Sequence, residues 1–143
     1  MMILDRIGDF LSIVLSIAAD PINLAILFGS VILGIMFGAM PGLTSTLGVA
    51  LLTALTYGMD TSLAMICLLA IYVGGTYGGS YASILINIPG TAAAAATALD
   101  GYPLACKGEG GRAIGLTTTA SAIGTSISML FVVRISPIIL HFA

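Results

Sequence analysis

Two short segments of the sequence combine residues that break helices with side chains that form neutral hydrogen bonds. Their residues are Pro41, Gly42, Thr44 and Thr46 in the first segment and Asn87, Pro89, Gly90 and Thr91 in the second. Proline inside a helix removes a backbone hydrogen bond and costs roughly 3 kcal/mol, and the backbone groups that it frees cannot face lipid. Transporters keep such breaks where half-helix N-termini bind anions and unwound carbonyls bind a cation. The pattern therefore predicts a substrate-binding site at the two breaks, with Asn87, Thr44 and Thr91 as hydrogen-bond partners.

A simpler interpretation of the same segments is a proline kink in an otherwise continuous helix. The threonines would then bond the backbone carbonyls one turn before them and take no part in binding. A single break would be weak evidence for a site, but the sequence repeats the pattern, because threonine follows Pro-Gly at residues 41–44 and again at 89–91. The sequence alone leaves both interpretations open.

A cluster of small residues between the two segments belongs to the same predicted substrate-binding site. Its members are Gly74, Gly75, Gly78, Gly79 and Ser80. Small residues spaced four apart let helix backbones approach closely in lipid, so close helix packing is the favoured interpretation. The alternative is that the paired glycines expose backbone to a substrate cavity. The sequence contains no Gly-Lys-Ser/Thr motif, so a nucleotide loop is excluded.

The composition places the chain in a lipid bilayer. Hydrophobic residues make up 59% of its 143 residues, charged residues only 7%, and the mean hydropathy is +1.17. A soluble domain contains about 25% charged residues. Two long runs, residues 21–59 and 61–99, hold no charged side chain. The net charge of −2, without a basic cluster, excludes nucleic acid as a partner. Cys67 and Cys106 form no metal motif, so no cofactor is expected.

The hydrophobic pattern predicts an all-α integral membrane protein that forms a single membrane domain over residues 1–143. Residues 1–19 are predicted to form an amphipathic helix in the membrane interface, because their apolar run is too short to span. Residues 21–99 are predicted to form glycine-rich transmembrane helices with two Pro-Gly interruptions. A polar loop at 100–112 and a transmembrane helix at 113–133 follow. The predicted pieces of the interrupted part are residues 22–40, 43–57, 61–73 and an alanine-rich helix that begins near Thr91 and ends at 100–101.

Charged residues predict where helices begin and how the protein is oriented. Asp20 and Asp60 each precede an apolar run, where an aspartate can cap the first turn of a helix. Lys107 and Arg112 lie in the predicted polar loop, and basic residues favour the cytoplasmic side of a membrane. The loop is therefore predicted to face the cytoplasm.

Two other functional classes can be compared with a substrate-binding membrane protein. An intramembrane protease would need Ser80 as nucleophile and His141 as base, but His141 is the single histidine and lies close to the C-terminus. No aspartate pair offers the alternative chemistry, so the chain is not expected to be an enzyme. A glycine-rich helical assembly module without transport activity of its own is the stronger alternative.

Longer motifs of the chain resemble a known family of membrane proteins. They are GIMFGAMPGLTSTLGVALL, LTYGMD, AIYVGGTYGGSYASILINIPGTA and TALDGYPLACKGEGGRAIG, in this order. In order and spacing they resemble the N-terminal part of TctA, the large permease subunit of bacterial tripartite tricarboxylate transporters. One departure is Ala54, where the family commonly has a proline before Thr-Tyr-Gly.

The resemblance implies a function beyond what composition shows. It implies a multi-pass secondary transporter of the bacterial inner membrane, coupled to Na+ or H+ and specific for citrate or a similar carboxylate. Its implied partners are a small membrane subunit, a periplasmic solute-binding protein and the remaining part of the permease, since family members are several times longer. The matched motifs carry no residue-level site assignment, so the 13 predicted site residues rest on the physical argument above.

Overall fold

The computed structural model describes the backbone of residues 2–142 and the side chains of residues 8–132, 134 and 135, and this part of the chain forms helices and no strand. The prediction of an all-α fold is therefore confirmed. The helices are α1 (Met2–Ala19), α2 (Pro21–Ala39), α3 (Ser45–Thr56), α4 (Thr61–Ile86), a short 3-10 turn (Ala92–Ala94), α5 (Ala95–Cys106) and α6 (Gly110–Phe142).

Three helices are long and apolar enough to cross a membrane. They cover Pro21–Ala39, Thr61–Ile86 and Gly110–Val132. At least 17 residues are needed to span the hydrocarbon core, so α3 and α5, with 12 residues each, are too short to cross alone. The protein is thus a membrane protein in which short helices accompany longer spans.

The predicted starts of two helices are confirmed. Helix α2 begins at Pro21, where the missing N–H of proline costs the helix nothing. Helix α4 begins after Asp60, whose Oδ2 accepts a hydrogen bond from Ser62 N at 3.1 Å. Both aspartates therefore precede the spans that the sequence predicts, and the charge-free runs begin directly after them.

The predicted end of the helical piece 61–73 at residue 73 is wrong. Helix α4 continues through both glycine pairs to Ile86. Glycine disfavours a helix by about 1 kcal/mol per residue relative to alanine, but Gly74, Gly75, Gly78 and Gly79 are all buried against neighbouring segments. Close packing on these glycines offsets their low helix propensity.

The prediction of a polar loop at residues 100–112 is also wrong. Helix α5 runs through Asp100 and Pro103 to Cys106, and α6 already begins at Gly110. The reason is a tertiary contact: Gly101 is buried, and a Cβ on it would lie 2.7 Å from Ile84 Cγ1. This contact holds the helix past the point where sequence propensity would end it, and the connection shrinks to residues 107–109.

The chain divides into two compact units, Pro21–Gly115 and Met1–Asp20 together with Leu116–Ala143. The first unit contains α2 to α5 and the start of α6. The second contains α1 and the rest of α6, whose described apolar side chains are exposed, such as Leu15 at 68% and Leu130 at 68%. Exposed apolar side chains of this kind suit a lipid environment. The interfacial placement of α1 stays a prediction.

Helices α2 and α4 run parallel and touch through glycine. Gly34 lies against the backbone of Ile71, and Gly38 lies one turn further along α2, against Gly75. Residue numbers rise together on both helices, which defines the parallel direction. At the start of this contact, Ser30 Oγ donates a hydrogen bond to Cys67 Sγ at 3.2 Å.

Helix α3 runs antiparallel to α4. Ser45, its first residue, lies beside Gly75, while Gly48 lies beside Ile71, which precedes Gly75 by one turn. A Cβ on Gly75 would lie 3.0 Å from Ser45 Oγ, and one on Gly48 would lie 3.5 Å from Ile71 Cγ2. The pair α2 and α3 therefore forms a helical hairpin that packs along the first two thirds of α4.

The glycine contact predicts opposite effects of alanine at two positions of α2. A Cβ at Gly34 would overlap the carbonyl oxygen of Ile71, whereas nothing lies within 4 Å of a Cβ at Gly29. We expect Gly34→Ala to lower the free energy of unfolding by about 1–3 kcal/mol through overpacking. Gly29→Ala should leave it unchanged or raise it by up to about 1 kcal/mol, because alanine favours a helix. Circular dichroism during SDS titration of detergent-solubilised protein measures both, and equal stability of the two variants would contradict the packing.

Candidate functional site

The first break, residues 40–44, reverses the chain between α2 and α3. Leu43 N donates to Met40 O at 3.1 Å, and Gly42 has a φ of 91°, which favours glycine. Thr44 then caps α3, because its Oγ1 accepts a hydrogen bond from Leu47 N at 3.2 Å. The chain turns back instead of bending, so the proline-kink interpretation is wrong for this segment.

The second break, residues 87–91, follows the end of α4. Asn87 has a φ of 57°, the left-handed conformation that often ends a helix. Its backbone N–H and that of Ile88 both donate to Ala82 O. Thr91 has an extended backbone, with φ −137° and ψ 156°, and precedes the 3-10 turn that leads directly into α5. This segment is also a true interruption, because a new helical segment begins after it.

The second break packs against the end of α2, which leads into the first break. Gly90 of the second break lies against the carbonyl oxygen of Gly38, near the end of α2. A Cβ on Gly90 would also lie 2.9 Å from Gly79 Cα, so the second break packs on α4 as well. Gly38 itself contacts Gly75. Glycine backbones from three segments therefore touch at one place, which only residues without a side chain allow.

The N-terminal ends of two short helices lie at this meeting point. Ser45, the first residue of α3, contacts Gly75, and Thr91, which precedes the helical segment 92–106, contacts Gly79. Gly75 and Gly79 are one turn apart, about 6 Å along the α4 axis. Two helix starts that are distant in sequence are thus neighbours on one face of α4.

The two short helices lead away from the site in opposite directions. From Ser45, α3 runs toward the N-terminal end of α4, as the contact of Gly48 with Ile71 shows. From Thr91, the other segment runs toward the C-terminal end of α4, where Gly101 contacts Ile84. Each helix N-terminus carries a partial charge of about +0.5. The site therefore combines two positive helix ends without a charged side chain, an arrangement that favours an anion.

The site lies beside the middle of α4. Asp60 lies at the N-terminal end of this helix. At its C-terminal end, Gly110 approaches Leu85, with 3.6 Å from a Cβ on Gly110 to Leu85 Cδ2. The charged residues Lys107, Glu109 and Arg112 are close to Gly110 in sequence. At a rise of about 1.5 Å per residue, α4 is about 39 Å long and Gly75 lies about 21 Å from its start. Both breaks thus meet within about 10 Å of the helix midpoint, far from the charged ends of this unit.

The contacts at this place involve four of the predicted site residues, Gly75, Gly79, Gly90 and Thr91, and the 13 predicted residues differ in their exposure. The five glycines at 74, 75, 78, 79 and 90 are buried, Ser80 and Thr91 are half-buried, and Pro41, Gly42, Thr44, Thr46, Asn87 and Pro89 are exposed. Gly74 and Gly78 lie against α2, while Gly75 and Gly79 lie against Ser45 and Thr91. Helix packing accounts for all four glycines of α4, and their contact with a substrate stays a prediction.

Sequence reasoning missed two polar residues of the site. Ser45 is buried, and its Oγ lies 3.5 Å from Thr76 Oγ1 on α4. Thr76 in turn donates a hydrogen bond to Tyr72 O at 2.8 Å. The available signal for Thr76 was its position between the two glycine pairs. For the protease alternative, the side chain of His141 lies outside the described residues, so its distance from Ser80 is not defined.

Comparison with known proteins identifies the family of the chain. A family model described as "Tripartite tricarboxylate transporter TctA family" matches residues 24–143, which include both breaks. The chain belongs to the TctA family. It is therefore a member of a family of membrane transport proteins, which confirms the resemblance carried by its motifs.

A curated relative of this TctA-family chain comes from Agrobacterium vitis. It is described as an uncharacterized 52.8 kDa protein in the TAR-I ttuC' 3' region and is 35% identical over 127 residues. The match covers 89% of this chain and 25% of the relative, so the TctA-family chain spans about a quarter of the length of that protein. No solved structure matches the chain.

The left-handed conformation of Asn87 predicts how the second break responds to substitution. Glycine adopts this conformation without cost, whereas alanine pays about 1 kcal/mol or more. We expect Asn87→Ala to lower the free energy of unfolding by about 1 kcal/mol and Asn87→Gly to leave it unchanged. SDS titration followed by circular dichroism measures both. If Asn87→Gly destabilised the protein as much as Asn87→Ala, a side-chain contact and not the backbone would explain this asparagine.

Proposed function

We propose that the chain is a permease component of a tripartite tricarboxylate transporter and binds a citrate-like carboxylate where its two breaks meet. The observation that carries the proposal is the convergence of two helix N-termini beside the middle of α4, in a member of a transporter family. Substrates of this kind are anions, and such helix ends favour anions. Four of the predicted site residues, Gly75, Gly79, Gly90 and Thr91, make the contacts that define this place.

Neutral groups suit a binding site at this depth. An uncompensated charged side chain near the centre of a bilayer costs about 2.5–3.5 kcal/mol on insertion scales, and residues 21–59 and 61–99 contain none. Leu47 N donates to Thr44 Oγ1 and Ala94 N to Thr91 O, whereas the backbone N–H groups that precede them in α3 and in the segment 92–106 lack partners within their own helices. They can therefore donate to a carboxylate without a permanent charge in the membrane.

A coupling cation balances the remaining charge of the substrate in this proposal. Two helix ends of about +0.5 each offset roughly one negative charge, whereas a di- or tricarboxylate carries more. The C-terminal end of α2, which carries the opposite partial charge, lies beside the site through Gly38. Its carbonyl oxygens suit Na+, and protonation of the substrate by H+ would serve the same purpose.

We propose three partners for the transporter, which the family match and the 25% coverage of the relative support. They are a small membrane subunit, a periplasmic solute-binding protein that delivers the carboxylate, and the remaining part of the permease. The proposed location is the bacterial inner membrane, as a multi-pass protein whose residues 107–112 face the cytoplasm because they include Lys107 and Arg112.

The alternative of a helical assembly module is less well supported. That function would need glycine faces that are open to another chain. Gly34, Gly38, Gly74 and Gly78 are instead covered by the contact between α2 and α4 of the same chain. The glycines that suggested assembly therefore serve the internal packing that positions the breaks.

Cysteine labelling tests the proposed binding site. The background carries Cys67→Ser and Cys106→Ser, which remove the native thiols. In this background, Thr46→Cys places a thiol at an exposed position in the first turn of α3. The control variant Leu51→Cys places a thiol on the same helix, where the native side chain is 59% exposed. With the protein in membranes, we expect a membrane-impermeant anionic methanethiosulfonate to label Thr46→Cys and not Leu51→Cys. Saturating citrate should slow the labelling several-fold.

Two results would contradict the proposal. If Thr46→Cys resisted labelling as Leu51→Cys does, the first break would face lipid and not a water-accessible pathway. If Thr46→Cys were labelled at the same rate with citrate, tartrate and no added carboxylate, the breaks would not bind a carboxylate. Labelling of Thr46→Cys and not of Leu51→Cys, slowed by citrate, would support the site.

A further inference from the structure

The polar side chains at the site differ in whether the protein already satisfies them. Thr44 Oγ1 accepts the capping hydrogen bond from Leu47 N at 3.2 Å. Thr76 uses its single proton to donate to Tyr72 O at 2.8 Å, and Ser83 donates to Gly79 O at 2.9 Å. Ser45 Oγ lies 3.5 Å from Thr76 Oγ1. These four hydroxyls all have a neighbour within the protein that accounts for their presence.

Thr91 is the exception. Among the residues whose side chains the structure describes, its Oγ1 is the buried side-chain oxygen without a hydrogen-bond partner. It occupies the same position relative to its helix as Thr44 does to α3, with an extended backbone, yet its side chain makes no capping bond. Buried hydroxyls in proteins are nearly always paired, so an unpaired one requires an explanation.

The surroundings of Thr91 indicate what kind of partner would suit its hydroxyl. A Cβ on Gly79 would lie 3.2 Å from Thr91 Oγ1, so the hydroxyl packs closely against this glycine, and only a residue without a side chain lets it approach α4 there. The N-terminus of α3 lies one turn away along α4, at Ser45 and Gly75. Residues 61–99 provide no charged group that could pair with the hydroxyl. A ligand with an acceptor oxygen would fill this requirement.

We infer that Thr91 is the side chain that binds the substrate directly, by donating its hydroxyl proton to a carboxylate oxygen, whereas Thr44 serves as a helix cap. This inference rests on the proposed function, since it names the donor within that site. It separates two threonines that are equivalent in sequence, because both follow Pro-Gly. No bond is made or broken, and the hydroxyl keeps its proton in the bound state.

Valine substitutions at the two threonines test the inference in the full chain. Valine matches threonine in shape and removes only the hydroxyl. We expect Thr91→Val to unfold at the same temperature as the native protein or higher, because it deletes an unpaired buried hydroxyl. Its affinity for citrate, measured by equilibrium binding of radiolabelled citrate, should fall by about 10- to 100-fold, the usual effect of losing a hydrogen bond to a charged group. Thr91→Ser, which keeps the hydroxyl, should recover most of that affinity.

Thr44 provides the matched control. Thr44→Val should unfold at a temperature lower by about 2–8 °C, because it loses a helix cap, and Thr44→Ser should restore the native unfolding temperature. The inference requires opposite behaviour of the two valine variants in the unfolding measurement. A similar loss of stability in Thr91→Val would show that its hydroxyl has a structural partner and would overturn the inference.

The binding measurement separates failure of the inference from failure of the proposed function. If the native protein bound citrate and Thr91→Val bound it with unchanged affinity, the inference would be overturned and the carboxylate site would stand. If the native protein bound neither citrate nor another di- or tricarboxylate, the proposed function would be overturned and the inference with it. Loss of affinity in Thr91→Val without loss of stability supports both.

Discussion

The contact between the backbones of α2 and α4 is the interaction on which the rest of the structure depends. Glycines at 34 and 38 on one helix and at 74, 75 and 78 on the other remove the side chains that would keep the two helices apart. In lipid there is little hydrophobic gain from helix association, so close contact supplies dispersion energy and helix specificity. Because Gly38 also touches Gly90, the same contact decides where the second break can lie. Packing and site are therefore set by one group of residues.

The interruption of helices in a membrane is tolerated here because the freed backbone groups have partners. The turn at residues 40–44 and the cap at Asn87 satisfy part of them within the chain. The starts of α3 and of the segment 92–106, where further N–H groups lack helical partners, lie beside α4 at Gly75 and Gly79. The requirement that polar backbone avoids lipid is thus met in part by contacts of the breaks with other segments, such as that of Gly90 with Gly38.

The sequence predicts the spans and the breaks well, and it fails where tertiary contacts override local preference. Proline and glycine act within a few residues, so the breaks at 41–42 and 89–90 could be located from local rules, as could the helix starts at Pro21 and Thr61. The continuity of α4 through its glycine pairs could not be predicted from local rules, because it depends on contacts of α2 and α3 with these glycines. The helical state of residues 100–106 could not either, since the contact of Gly101 with Ile84 joins distant parts of the chain. Thr44 Oγ1 accepts a hydrogen bond from Leu47 N, whereas Thr91 Oγ1 has no hydrogen-bond partner, and no sequence pattern reveals this difference.

The stack of Gly38, Gly75 and Gly90 also limits how such a protein can diversify. A methyl group at any of these positions would collide with backbone, which cannot rotate away as a side chain can. Related proteins with other ligands are therefore expected to keep these three glycines and to vary at the solvent-accessible neighbours, such as Thr46 and Ile88. The contact of these three glycines is therefore expected to be the least adaptable part of the unit Pro21–Gly115, and selectivity would evolve at the residues around it.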